Sequence, residues 1–137
     1  MFEKILVPVD GSSHSDHAAT IAGDLGDRYV SEIVVLHVRE HELAWGADVD
    51  LEPKETAEAL VGRYVDRLRK TGANARGETR LVAVGRVPQE ILEVAEAEGV
   101  GLIVIGTRGL TEWQRLVMGS VASKVVHHAG CPVLVTR

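Results

Sequence analysis

The chain has 137 residues, one domain's worth with a single core, and its 45% hydrophobic and 26% charged content is ordinary for a soluble globular protein. A formal net charge of −5 argues against a nucleic-acid partner, because phosphate backbones require a basic face. A single cysteine, Cys131, excludes an internal disulfide and suits a reducing compartment. The opening MFEKILVPVD has neither signal-peptide nor transit-peptide character, and no apolar run approaches a membrane span, so a cytoplasmic protein is expected.

In chain order, five β-rich runs stand out: KILVPV (4–9), EIVVLHV (32–38), ETRLVAV (78–84), GLIVIG (101–106) and PVLVT (132–136). The runs at 4–9, 32–38 and 101–106 are nearly continuous Val, Ile and Leu, the signature of strands covered on both faces by helices. Helical spacing fills the gaps. It appears at Ala18, Ile21, Ala22, Leu25 and Tyr29, then at Ala57, Leu60, Val61, Tyr64 and Leu68. A third helix is expected from Pro88, burying Ile91, Leu92 and Ala95, and a fourth from Ser120 with Val121, Ala122, Val125 and Val126. Alternation of this kind predicts βαβ units in one doubly wound parallel sheet, spanning 1–137 as a single domain. Arg39 to Pro53 is longer than packing requires and carries Trp45; it reads as a mobile surface loop, either a lid or partner element or a variable loop with no specific role.

In such sheets ligands bind beyond the carboxyl ends of the strands. After the first strand comes Pro8-Val9-Asp10-Gly11-Ser12, and after the fourth Gly106-Thr107-Arg108-Gly109; neighbouring strands would bring the two together. Gly106 and Gly109 allow backbone amides to approach a ligand and to take positive φ. Gly119-Ser120 opens a helix, where amides and dipole favour an anion, and the Ser120 hydroxyl can cap that helix or donate to a phosphate. Arg108 adds a cation or points to solvent. Asp10 either accepts from a ribose hydroxyl or holds magnesium through water, or it caps the helix near Ser12. Trp113 either covers the phosphates or packs beneath its loop. Together these features describe a phosphate cradle.

The pattern Gly106-x2-Gly109-x9-Gly119-Ser120, with GLIVIGTRG before it and a helix and PVLVT after, resembles the universal stress protein family. KILVPVDGS (4–12) and EIVVLHV (32–38) match it too, and only Arg39–Pro53 falls outside the likeness. The glycine-serine signature is that of the family's ATP-binding branch. The resemblance implies a Rossmann-like adenine nucleotide alpha hydrolase fold with strand order 3-2-1-4-5, counted over the five runs. It implies a regulatory stress-response module binding ATP with magnesium. Pro8, Val9 and Asp10 would then meet the nucleoside, and Val38 would offer main-chain groups to the adenine edge. Gly106, Arg108 and Gly109 would line the ribose and first phosphates, with Gly119, Ser120 and Val121 holding the outer ones. Gly101 departs from the family pattern, standing where an acid commonly precedes the strand, at its end far from the site.

No P-loop, dinucleotide or zinc motif is present, and Cys131 reads as a small packed hydrophobe. His127 and His128 diverge by about 100° on a helix and make no common metal site. No histidine or glutamate is expected at the strand ends facing the crevice, with His37 lying along a buried strand. A binding module is therefore favoured over a slow metal-dependent ATPase built on Asp10, and over a nucleotide-independent interaction protein. The family further implies that Pro132 to Thr136 forms a sheet edge, where Val133, Leu134 and Val135 would pair with a second copy in a homodimer. A protein partner is expected but not identified.

Overall fold

The computed structural model describes residues 1–107 and 118–137. Its elements are β1 (Lys4–Pro8), α1 (Ser13–Tyr29), β2 (Glu32–Ala44), β3 (Ala47–Asp50), α2 (Lys54–Lys70), β4 (Asn74–Ala83), α3 (Val87–Ala97), β5 (Leu102–Gly106), α4 (Ser120–His128) and β6 (Val133–Thr136). β1 lies at the centre, parallel to β2 on one side and β5 on the other; β4 runs parallel outside β2, and β6 outside β5. This is the expected five-strand order, with β3 added as an antiparallel strand on the far end of β2.

Alternation along the central strands builds two cores. Ile5, Val7, Ile33, Val35, Leu102 and Val104 point toward α1 and α2. Leu6, Val34, Leu36, Ile103 and Ile105 point the other way, toward α3 and α4. Most of these side chains are completely buried, each contributing about 1.5–3 kcal/mol of burial free energy. The unbroken apolar runs thus serve two layers at once. The helices also place their expected apolar stripes inward, except that Tyr29 and Val126 are exposed. Tyr29 instead meets Phe2 edge to face. Among the described residues, no helix is long and apolar enough to cross a membrane.

Two strand boundaries differ from expectation by more than one residue. β4 begins at Asn74 rather than at 78, because Asn74 to Glu78 pair with Glu32 to Leu36; the polar NARGE hides that pairing from a hydrophobic pattern. The larger difference concerns Arg39–Pro53. It is not a loop but a β-hairpin: β2 continues to Ala44, and β3 folds back so that His41 faces Asp50 and Ala44 faces Ala47. Trp45 (φ 55) and Gly46 (φ 78) both take left-handed backbone, as the two-residue turns that match strand twist demand.

Tryptophan is a poor choice at that position, and its side chain is fully exposed. Trp45→Asn is therefore expected to raise stability by about 1 kcal/mol, since asparagine tolerates the left-handed region and no packing is lost. A urea melt showing destabilisation would mean that the indole has a role in the fold.

Candidate functional site

β1 ends at Pro8 and β5 at Gly106, while β2 continues past both and turns back as the hairpin. The unequal ends leave a cavity of about 430 Å³ at the carboxyl edge of the sheet, within the range of small-molecule sites. Pro8, Val9, Asp10, Val38, Gly106, Gly119, Ser120 and Val121 all line it. The structure thus brings together every described residue expected at the site. Arg108, Gly109 and Trp113 lie outside the described residues.

One wall is apolar, formed by Leu36, Val38, Ile91, Ile105 and Ala122. Thr107, Ser120 and Asp10 line it with polar groups, and the start of α4 directs backbone amides there.

The turn after β1 is built by its own side chains. Asp10 Oδ1 accepts from the Ser12 amide at 2.9 Å, Gly11 takes φ 86, and the Ser12 hydroxyl caps α1 by accepting from Ser15 N at 3.1 Å. Ser12, not Asp10, is thus the helix cap, and Asp10 both holds the turn and lines the cavity. Beneath it Ser15 Oγ accepts from the Asp10 amide at 3.3 Å and lies 2.9 Å from the Tyr64 hydroxyl, which donates to Asp16. This buried polar cluster anchors the turn to α2.

Gly106 is a glycine for a different reason from the one the pattern suggests. It lacks positive φ. A β-carbon on it would stand 2.8 Å from the His14 carbonyl carbon, so the residue lets the first turn of α1 rest on the end of β5. Gly119 likewise has φ −60 and ψ 157, extended rather than left-handed, as the N-cap of α4. Gly101, before β5, has the Met1 carbonyl oxygen 2.0 Å from where a β-carbon would lie, which leaves no room for the acid common at that place.

Thr107 is the junction that sequence reasoning passed over. Its amide donates to Thr136 O at 2.7 Å, its carbonyl accepts from the Gly119 amide at 2.6 Å, and its hydroxyl lies 2.9 Å from His14 Nδ1. β5, β6, α1 and the start of α4 are thereby tied at one residue. No local pattern marks it; only the pairing of distant elements does.

His37 also corrects the sequence reading. Although buried, it lines the cavity, with Nδ1 2.7 Å from Val9 O and Nε2 2.7 Å from Glu52 Oε2. Glu52 lines the cavity too, brought there by the hairpin, so a histidine and a glutamate do face the crevice. The alternating ELAWGADVDLE with its central Trp-Gly was the available signal.

Burial, reinforced by the hydrogen bond to Asp16, pushes the Tyr64 hydroxyl from 10.0 up to about 12. The fold therefore holds this proton more tightly than the unfolded chain does. That stabilisation is complete below pH 10.0 and is lost as pH rises toward about 12. Tyr64→Phe is expected to cost about 1 kcal/mol at neutral pH and to flatten stability across that alkaline window. An unchanged alkaline slope in urea melts of the variant would contradict this assignment.

The model of the Universal stress protein family matches residues 1–137. The chain is 34% identical, over 143 aligned residues and 100% of both chains, to a universal stress protein of Thermus aquaticus named for the QAH/OAS sulfhydrylase 3' region. A solved universal stress protein from Archaeoglobus fulgidus in complex with dAMP is 26% identical, with a TM-score of 0.71 and 100% of each chain covered. The solved MJ0577 of Methanocaldococcus jannaschii superposes with a TM-score of 0.81 over 99% of this chain and 96% of that one; at 24% identity it speaks to the fold alone. With its full-length family match, its doubly wound sheet and its crevice at the switch between β1 and β5, this chain belongs to the universal stress protein family.

Proposed function

We propose that the chain is a nucleotide-dependent regulatory module that binds ATP in this cavity. The observation that carries the reading is the convergence of four separate segments: Pro8–Asp10, Val38, Gly106–Thr107 and Gly119–Val121. An apolar slot beside Val38 suits a purine, whose edge would bond main-chain groups there. Asp10 suits a ribose hydroxyl. The amides at the start of α4, with the Ser120 side chain, suit phosphates. The dAMP complex of the Archaeoglobus fulgidus relative supports adenine as the base.

The donor set also fits magnesium carried by the ligand. Among the described residues no three His, Cys, Asp or Glu gather into a metal site, so the ion would be held mainly by phosphate oxygens and water, with Asp10 nearby. It would neutralise phosphate charge. Arg108 and Gly109 are assigned to the ribose and first phosphates on the family pattern. We also assign β6 to a homodimer contact. Among the described residues it pairs with β5 alone, Val133 and Val135 turn toward the α3–α4 core, and Leu134 is exposed.

Two measurements test these assignments. Calorimetric titration with Mg-ATP should show saturable binding, and Gly119→Val should abolish it by placing a branched side chain at the α4 start; equal binding by the variant would overturn the phosphate assignment. Sedimentation should show a dimer that Leu134→Lys converts to monomer with ATP binding retained; an unchanged dimer would remove β6 from the interface.

A further inference from the structure

β2 sends two neighbouring side chains of one face, His37 and Arg39, to grip the returning hairpin. Arg39 Nη1 lies 2.5 Å from Asp50 Oδ2 and donates to Glu52 O at 3.3 Å. An arginine stays charged at any working pH, so this clamp is permanent. The His37 clamp differs. Val9 O is a carbonyl and only accepts, so Nδ1 carries a hydrogen. Ionised Glu52 also only accepts, so the 2.7 Å contact at Nε2 needs a second proton, on the ring or on the acid. The pair thus holds one proton more than a neutral imidazole and a carboxylate would. Without that proton a nitrogen lone pair faces an acceptor, and one of the two contacts must open.

Either loss matters for the cavity, because Val9 and Glu52 stand on the two sides of the ring and both line it. Leu51 and Glu52 both line it, and Leu51 is joined to β2 by its amide on Glu40 O at 2.9 Å. Among the described residues, Arg39 and Glu40 on β2 and Asp10 after β1 are other ionisable groups that line this cavity; Asp50 lies on the hairpin, and Asp16 and Tyr64, on the helices packed over this face, are bonded to each other. Arg39 and Asp50 are likewise paired.

We propose that His37 and Glu52 are positioning residues: their shared proton bridges Val9 to the Glu52 side chain at the nucleoside end of the cavity, so that affinity for adenine nucleotide falls when the proton is lost. The proposal rests on the nucleotide reading of the cavity. It places a pH-linked contact on the β2 side, across β1 from the start of α4.

The test combines histidine-ring NMR with Mg-ATP calorimetry between pH 5.5 and 8.5, on wild type and Glu52→Gln. A glutamine amide can donate to a neutral Nε2, so the variant keeps the bridge from Val9 to residue 52 without the extra proton. Wild-type affinity is expected to fall about fivefold, the worth of one ordinary hydrogen bond, around the pH at which NMR shows His37 deprotonating. The variant should bind with flat pH dependence. Parallel declines in both proteins, or a wild-type affinity indifferent to the His37 titration, would overturn the proposal. Absence of binding at every pH would defeat the nucleotide reading instead. The proton-held bridge is then judged by the Asp10 and Glu52 amides, which must shift with the His37 midpoint in wild type but not in the variant; if they do not, it too is overturned.

Discussion

The contact on which the site depends is between the end of β5 and the first turn of α1. At Gly106 there is no β-carbon, and the space it would occupy belongs to the backbone of His14. Because α1 can settle there, the Asp10 turn lies beside the end of β5, and His14 reaches the Thr107 hydroxyl. Thr107 then fixes its other groups on β6 and on Gly119, which brings the start of α4 to the same edge. A side chain at 106 would push these elements apart. Gly106 thus lets α1 pack on β5 while itself lining the cavity.

Unequal strand length makes the cavity. β1 and β5 stop at the edge of the sheet, whereas β2 overruns them and folds back, so Leu51 and Glu52 become a wall that α3 and α4 face from the other side. The opposite end of the sheet is closed by charge. Arg76 binds Glu32, Glu78 and Glu98, and Lys4 also reaches Glu98 at 3.0 Å. The hydrogen bond from Lys4, followed by the Arg76 charge, holds the Glu98 carboxyl below its ordinary range. These partly exposed pairs contribute little energy individually. They join both flanks of β1 at the end away from the cavity, leaving the carboxyl end as the open one.

Much of this was legible from residue pattern. Runs such as EIVVLHV and GLIVIG suit strands buried on both faces, and the glycine-serine spacing with KILVPVDGS pointed to the family and to eight cavity residues that the structure brings together. What stayed hidden was non-local. The polar REHEL and ADVD conceal a ladder in which the end of β2 pairs with β3 on one side and β4 on the other. His37 sits in an apolar run, and its partner Glu52 lies beyond the hairpin turn. Thr107 carries no motif, and its importance appears only once β5, β6, α1 and α4 are assembled. Glycine at 106 does mark a close approach, and the group that fills the place of its β-carbon is the backbone of α1.

The proposed nucleotide site joins four segments distant in sequence, and amide chemical-shift mapping, as Mg-ATP is added to isotope-labelled protein, tests that union. Val9, Asp10, Val38, Thr107, Ser120 and Val121 are expected to shift together and to saturate with a single dissociation constant. Shifts confined to one segment, segments that saturate at different concentrations, or a folded protein whose spectrum does not change would contradict it.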